Sequence, residues 1–250
     1  MQNAMSGKIP RGKSAANRYR RLAGPACRVR RRGLSRWLKS LQRLQSAAMA
    51  ADTPILDAHI HQWVMRAMPR EFPPALRDWI PDNSGAIGIN GLDGAGKTTF
   101  ALGLQRFLLD QGREAHLLRV DDFNEDDVQD EVYEAFARGE LTAAHLDKYY
   151  QSSVDYRALF DAIKIAKERT RYVIVEGVFL FRQPLPQILD FKVFLETETS
   201  VARDRFKRRR LELGDETPVE VFDRIWLPAF ERYCNEEKPL ETADLIVASR

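Results

Sequence analysis

Beyond residue 85 the hydrophobic positions fall into two alternating rhythms. Short, nearly continuous apolar runs predict five strands: AIGIN at 86–90, AHLLRV at 115–120, YVIVEG at 172–177, FKVFLE at 191–196 and DLIVAS at 244–249. Runs without polar alternation are the mark of strands buried on both faces. Between them the spacing becomes helical. Phe100, Leu104, Phe107 and Leu108 share one face, residues 126–138 read as helix, and Tyr156, Leu159, Phe160 and Ile163 mark another. Strands and helices in alternation predict an α/β fold over residues 85–250: a five-stranded parallel sheet with helices on both faces.

Upstream this rhythm is lost. Residues 52–84 predict an N-terminal helix and a linker. Thr53 is a capping residue, Pro54 stands at the first helical position, and Pro69, Pro73, Pro74 and Pro81 then interrupt the chain. Residues 1–51 hold 13 Lys and Arg and no acid, and predict a basic, disordered extension. Within it, RVRRRGLSRWLKSLQRL has the spacing of a basic amphipathic helix. Three readings fit this segment: a transit peptide, an arm for acidic partners, or translation from an upstream start with Met49 as the true one.

Charge sharpens this division. The formal net charge of +3 conceals an acidic body, because residues 52–250 carry 26 bases against all 36 acids. An acidic body argues against a nucleic-acid-tracking surface, which needs clustered positive charge. No run approaches the roughly 18 apolar residues of a membrane span. Cys27 and Cys234 have no CxxC spacing, so neither a zinc site nor a disulfide scaffold is expected. The expected compartment is the cytoplasm, or an organelle if the basic segment is a transit peptide.

The candidate chemistry begins at residues 91–98, GLDGAGKT, which match G-x-x-x-x-G-K-[ST] between a strand and a helix. Glycines let the backbone turn its N–H groups inward onto phosphates, and the helix N-terminus adds positive potential. Gly91, Asp93, Gly94, Ala95, Gly96, Lys97, Thr98 and Thr99 are the nucleotide-binding candidates. Lys97 reaches the outer phosphates, and the Thr98 hydroxyl is a Mg²⁺ ligand. The loop serves kinases, GTPases and motor ATPases alike, so the acids that follow must decide.

The second strand ends in DDFN, 121–124. Ligands of such sheets bind beyond the carboxyl ends of the strands. Asp121 and Asp122 therefore fall beside the γ-phosphate, where a carboxylate takes a hydroxyl proton or helps hold Mg²⁺. Glu176, at the end of YVIVEG, stands where P-loop enzymes keep an acid for the metal shell. Residues 203–210, RDRFKRRR, place Arg205, Arg208 and Arg209 on one helical face, the composition of a cationic lid.

Taken in order, GLDGAGKTT, VDDF, VIVEGVFLF, FLETETSVARDRFKRR, PAFERY and ADLIV resemble the uridine kinase and phosphoribulokinase group of P-loop kinases, from about residue 87 to 248. That resemblance implies transfer of the γ-phosphate of ATP, with Mg²⁺, to a hydroxyl of a ribosyl or similar small molecule. It implies a P-loop strand at the centre of the sheet and, commonly, oligomers. It makes Asp121 the catalytic base, Thr98 and Glu176 the magnesium shell with Asp121 beside them, and Arg205 and Arg208 the lid arginines. On the acceptor side it points to Asp121, Phe123, Tyr149 and Tyr150, with Asp155 near them. Two departures stand out. The hairpin that uridine kinases insert before the EG strand is missing, since about 16 residues separate Tyr156 from Tyr172 and read as helix. Asn124 also stands where the family carries a tyrosine. The acceptor pocket is thus expected to differ from a nucleoside site.

Two other functions compete. One is a nucleotide-switched module or ATPase with no small acceptor. The other is metal-dependent hydrolysis, suggested by Asp57, His59 and His61 in LDAHIHQW. The helical periodicity around that string turns its two histidines apart, and only His116 and His145 remain as further ligands.

Overall fold

The computed structural model describes residues 72–248. The basic segment, the helix expected from Thr53, Cys27 and the Asp57/His59/His61 string all lie outside the described residues. The elements run α1 (Pro74–Asp82), β1 (Gly85–Gly91), α2 (Lys97–Asp110), β2 (Ala115–Arg119), a 3₁₀ turn (Val120–Phe123), α3 (Asp126–Ala137), α4 (Ala143–Ser152), α5 (Tyr156–Arg169) and β3 (Tyr172–Gly177). Then follow β4 (Phe191–Glu196), α6 (Thr199–Leu213), α7 (Val219–Val221), a π turn (Phe222–Trp226), α8 (Leu227–Glu237), α9 (Pro239–Thr242) and β5 (Leu245–Ala248).

The five strands form one parallel sheet in the order β2-β3-β1-β4-β5, with the P-loop strand at its centre. Alternate side chains of the same strand feed two cores, as the two-residue repeat of a strand requires. Val173 and Val175 of β3 point into the core beneath α3, α4, α5 and α8, while Tyr172 and Ile174 point into the core covered by α1 and α2. β1 and β3 are therefore dry on both faces, which is why they read as nearly unbroken apolar runs.

One expectation changes. Residues 74–82 are helix where the prolines suggested a broken connector. Pro74 takes the first helical position, where a missing N–H costs nothing. Phe72, Leu76 and Ile80 are buried against α2 and β1, with Phe72 edge-on to Phe100 at 5.2 Å and Trp79 against Phe191 at 5.2 Å. The Tyr172 hydroxyl donates to the Ile80 carbonyl at 2.5 Å, tying the helix end to β3. α1 thus belongs to the packing of the sheet.

Candidate active site

The phosphate loop is built by the exit of β1. Asn90, fully buried, accepts from the Gly91 amide at 2.8 Å and donates to the Tyr233 hydroxyl at 2.6 Å, while that hydroxyl also accepts from the Phe181 amide at 3.0 Å. One buried triad therefore anchors the strand end to α8 and to the segment after β3. Gly94 adopts φ +85°, and a Cβ there would lie 2.2 Å from the Ala202 carbonyl oxygen of α6. Glycine is needed both for the left-handed turn and for the close approach of the following helix. The Lys97 ammonium folds back to the Leu92 carbonyl at 3.0 Å and lies 3.7 Å from the Asp93 carboxylate.

Beyond the loop, three strand ends converge. The Thr98 hydroxyl donates to Glu176 Oε1 at 3.0 Å, joining the first turn of α2 to the end of β3. Gly177 must follow Glu176, because a Cβ there would meet the Val120 side chain at 2.3 Å. That contact seats the 3₁₀ turn carrying Asp121 against β3. The turn is pinned from its other side by the connector between α4 and α5: the Glu125 amide donates to the Ser153 carbonyl at 2.9 Å and the Asp155 amide to the Phe123 carbonyl at 2.8 Å. Exposed Asp121 is close enough to act electrostatically on Glu176, Asp93 and Tyr149.

The charges follow from burial. The Glu176 carboxyl, 4% exposed, is raised to about 7, first by burial and then by the Asp121 charge, against the lowering pull of Lys97, Arg119 and the Thr98 hydroxyl. Asp93 is raised by burial and by Asp121, while Lys97 and Arg209 oppose the shift. Arg119 is buried at the end of β2, in register with Glu176 and 3.3 Å from Asp122. Burial disfavours its charge, but Asp122, Asp121 and Glu176 outweigh that and raise it.

The oxygen donors suit a hard divalent cation. Thr98 and Glu176 are already in contact, Asp121 is beside them, and burial with the Asp121 charge disfavours the ionised carboxylate, which a cation would reverse. Among the described residues no group of three or more His, Cys, Asp or Glu is assembled as an all-protein metal cage. A Mg²⁺ held mainly by nucleotide phosphates needs none.

The lid and the acceptor side differ in part from expectation. Arg205 of α6 donates to the Gly94 carbonyl at 3.4 Å. Arg208 is turned to solvent, 63% exposed and 4.0 Å from Glu212, whereas Arg209 is the α6 arginine that acts on Asp93. The helix buries Ala202 and Phe206, and Arg209 lies on that side while Arg208 is rotated off it. Tyr150 is fully buried, edge-on to Phe179 at 5.6 Å with the Arg182 guanidinium 4.2 Å above its ring. Asp155 caps α5, accepting from the Ala158 amide at 2.9 Å. Phe123 is partly buried against the core beneath α3–α5. Tyr149 is buried: burial, Tyr133, Asp93 and Asp121 hold its phenol well above the usual range, and Tyr133 hydrogen-bonds it. Behind it the Trp226 indole donates to the Tyr133 hydroxyl at 3.1 Å. His145 closes a capping box with Thr142.

Arg119, Tyr133 and Trp226 are the residues sequence reading missed, while Arg209 was read only as one of three arginines on the lid face. Arg119 carried a signal, an arginine inside an apolar run immediately before two acids. Tyr133 and Trp226 looked like ordinary core aromatics.

The central parallel sheet, the loop between β1 and α2 and the acids at the neighbouring strand ends define a P-loop nucleotide-binding fold. The chain is similar in structure to a candidate uridine kinase from Bacillus stearothermophilus, at 17% identity over 84% of this chain and 98% of that one, with a TM-score of 0.46. It is also similar to a candidate fructose transport system kinase from Silicibacter sp. TM1040, at 18% identity over 78% and 100% of the two chains, TM-score 0.43. A shikimate kinase from Acinetobacter baumannii, in complex with shikimate, matches at 16% identity over 71% and 88%, TM-score 0.37. No protein-family model and no curated protein matches the chain. Among the described residues no helix is long and apolar enough to cross a membrane.

Proposed function

We propose that the chain is an ATP-dependent phosphotransferase that moves the γ-phosphate to a hydroxyl of a small molecule. The observation that carries this reading is the convergence of Thr98, Glu176 and Asp121 at adjoining strand ends, with Asp121 left exposed. A nucleotide switch needs the first two. An exposed carboxylate on the far side of them is the group a hydroxyl acceptor needs.

The loop's N–H groups and Lys97 hold the phosphates of the donor. Asp121 accepts the proton of the acceptor hydroxyl as its oxygen bonds to the γ-phosphorus and the bond to the ADP oxygen breaks in line. Arg205 and Arg209 meet the charge that spreads over the transferring oxygens, which water would screen. Thr98 and Glu176 would hold Mg²⁺, which when bound neutralises charge between the β- and γ-phosphates. Closure of α6 over the loop excludes water and suppresses hydrolysis.

Asp121→Asn keeps the shape and removes the base. Transfer is expected to fall by about 10²–10⁴-fold while ATP affinity stays within about threefold. A variant that phosphorylates its acceptor at the unsubstituted rate refutes the role of Asp121.

A further inference from the structure

On the face of the sheet covered by α2, strand β2 presents Leu117 and then Arg119, and β3 presents Ile174 and then Glu176. The register sets them side by side, Leu117 against Ile174 and Arg119 against Glu176, on strands about 4.8 Å apart. An apolar pair is thus followed, at the end of the sheet, by a basic and an acidic residue. Arg119 is 4% exposed, and its Nε is buried with no hydrogen-bond partner among the described residues. A buried guanidinium with an unpaired N–H costs stability, and a leucine there would extend the apolar row without that cost. What the arginine gains must come from the group its head holds.

That group is Asp122. Arg119 Nη2 lies 3.3 Å from Asp122 Oδ1, three residues on, so the ion pair spans the 3₁₀ turn that carries Asp121. An exposed carboxylate is aimed by its backbone, and for Asp121 that backbone is this turn. The two ends of the turn are fixed elsewhere. Val120 is seated against Gly177, while Phe123 accepts from the Asp155 amide and Asn124 bridges to Val154. Between those anchors the Arg119–Asp122 pair fastens the middle. Its arginine is only 5% exposed, against 48% for Asp122, so water and salt screen it less than a pair of two exposed side chains.

On the kinase reading above, we propose that Arg119 is a positioning residue for the transfer: from the end of β2 its buried guanidinium holds Asp122 and so aims the neighbouring Asp121 carboxylate at the acceptor hydroxyl. In this role Arg119 need touch neither the acceptor nor the nucleotide. It acts through the turn, whose backbone shifts when Asp122 is released. Moving the base by about 1 Å is enough to slow transfer about a hundredfold, and the phosphate loop, which holds ATP, is left as it was.

The test is a mutant cycle on the full chain, with ATP, Mg²⁺ and the acceptor found by screening hydroxyl compounds. Arg119→Met keeps an apolar stem and removes the head group, while Asp122→Asn alters only the more exposed partner. Each is expected to lower kcat about tenfold to a hundredfold, with the KM of ATP within about threefold. The double variant should be little slower than either alone, because both remove the same contact. Arg119→Lys, which keeps a cation at that place, should recover part of the loss. If the two losses multiply, Arg119 acts through Glu176 or the core instead, and the assignment is overturned. It is overturned equally if Arg119→Met unfolds more easily with kcat unchanged, or if it shifts the KM of ATP in place of kcat. Should Arg119→Met fail to fold, an unchanged kcat in Asp122→Asn overturns it. The kinase reading stands through all of these results. If no hydroxyl compound is phosphorylated, the kinase reading falls and takes the positioning role with it.

Discussion

On the donor side, eight consecutive residues supply the loop, its lysine and Thr98, running from the last residue of the central strand into the first turn of the helix it feeds. On the proposed acceptor side, Asp121, Tyr133, Tyr149 and Trp226 come from four separate segments and meet only when α3, α4 and the π turn have packed. Phosphate recognition is a property of local backbone geometry, so the donor half keeps its form whatever surrounds it. Acceptor recognition is a property of tertiary packing, so that half is free to diverge while the chemistry persists.

The largest effect that separates the halves is the loss of transfer in Asp121→Asn, with ATP binding retained. Next comes a substitution that strikes the donor half from below. Leu76 is fully buried in α1, and Leu76→Ala is expected to cost about 2–5 kcal/mol. Denaturant unfolding reads the loss, and the acceptor KM of the folded fraction should not move. An exposed, unpacked α1 would instead show less than about 0.5 kcal/mol.

Glu176 marks the boundary between the halves, and its effect depends on pH. Its carboxyl is raised from 4.5 to about 7, so the folded state holds the proton more tightly than the unfolded chain. Below about pH 4.5 both states are protonated and nothing is lost. From there to about 7 stability falls as pH rises, and above 7 the full penalty of a buried charge applies. Glu176→Gln should therefore stabilise the nucleotide-free protein at pH 8, by about 3 kcal/mol from one shifted group, and confer little at pH 4. Thermal unfolding at the two pH values checks the sign. The same variant should bind Mg·ATP more weakly.

The smallest contrast lies in the lid. Arg209→Ala is expected to lower transfer about tenfold or more, and Arg208→Ala to leave it within about twofold. Equal effects would mean that both arginines reach the phosphates on closure.

How far this could be read in the sequence follows the same division. YVIVEG and FKVFLE match strands β3 and β4 residue for residue, because a buried parallel strand is apolar throughout. GLDGAGKT was legible because its function lies in contiguous backbone. The lid face of Arg205, Arg208 and Arg209 was legible, and the choice among them was within reach: Ala202 and Phe206, four apart, set the buried phase of α6, and Arg205 and Arg209 follow them at three. α1 was misread because Pro73 and Pro74 break a helix in its interior and begin one at its first turn, and the Phe72, Leu76, Ile80 spacing was the cue that separates the two cases. Tyr133 and Trp226 carried no such cue. Their hydrogen bond joins positions 93 residues apart and exists only in the packed chain.

The most direct measurement follows the label of γ-³²P-ATP in the presence of Mg²⁺ and a panel of hydroxyl compounds. The account predicts that label appears on one member, that ADP is released faster in its presence, and that both responses vanish in Asp121→Asn. Release of ADP at one rate with every compound and with none, all label appearing as inorganic phosphate, would contradict it.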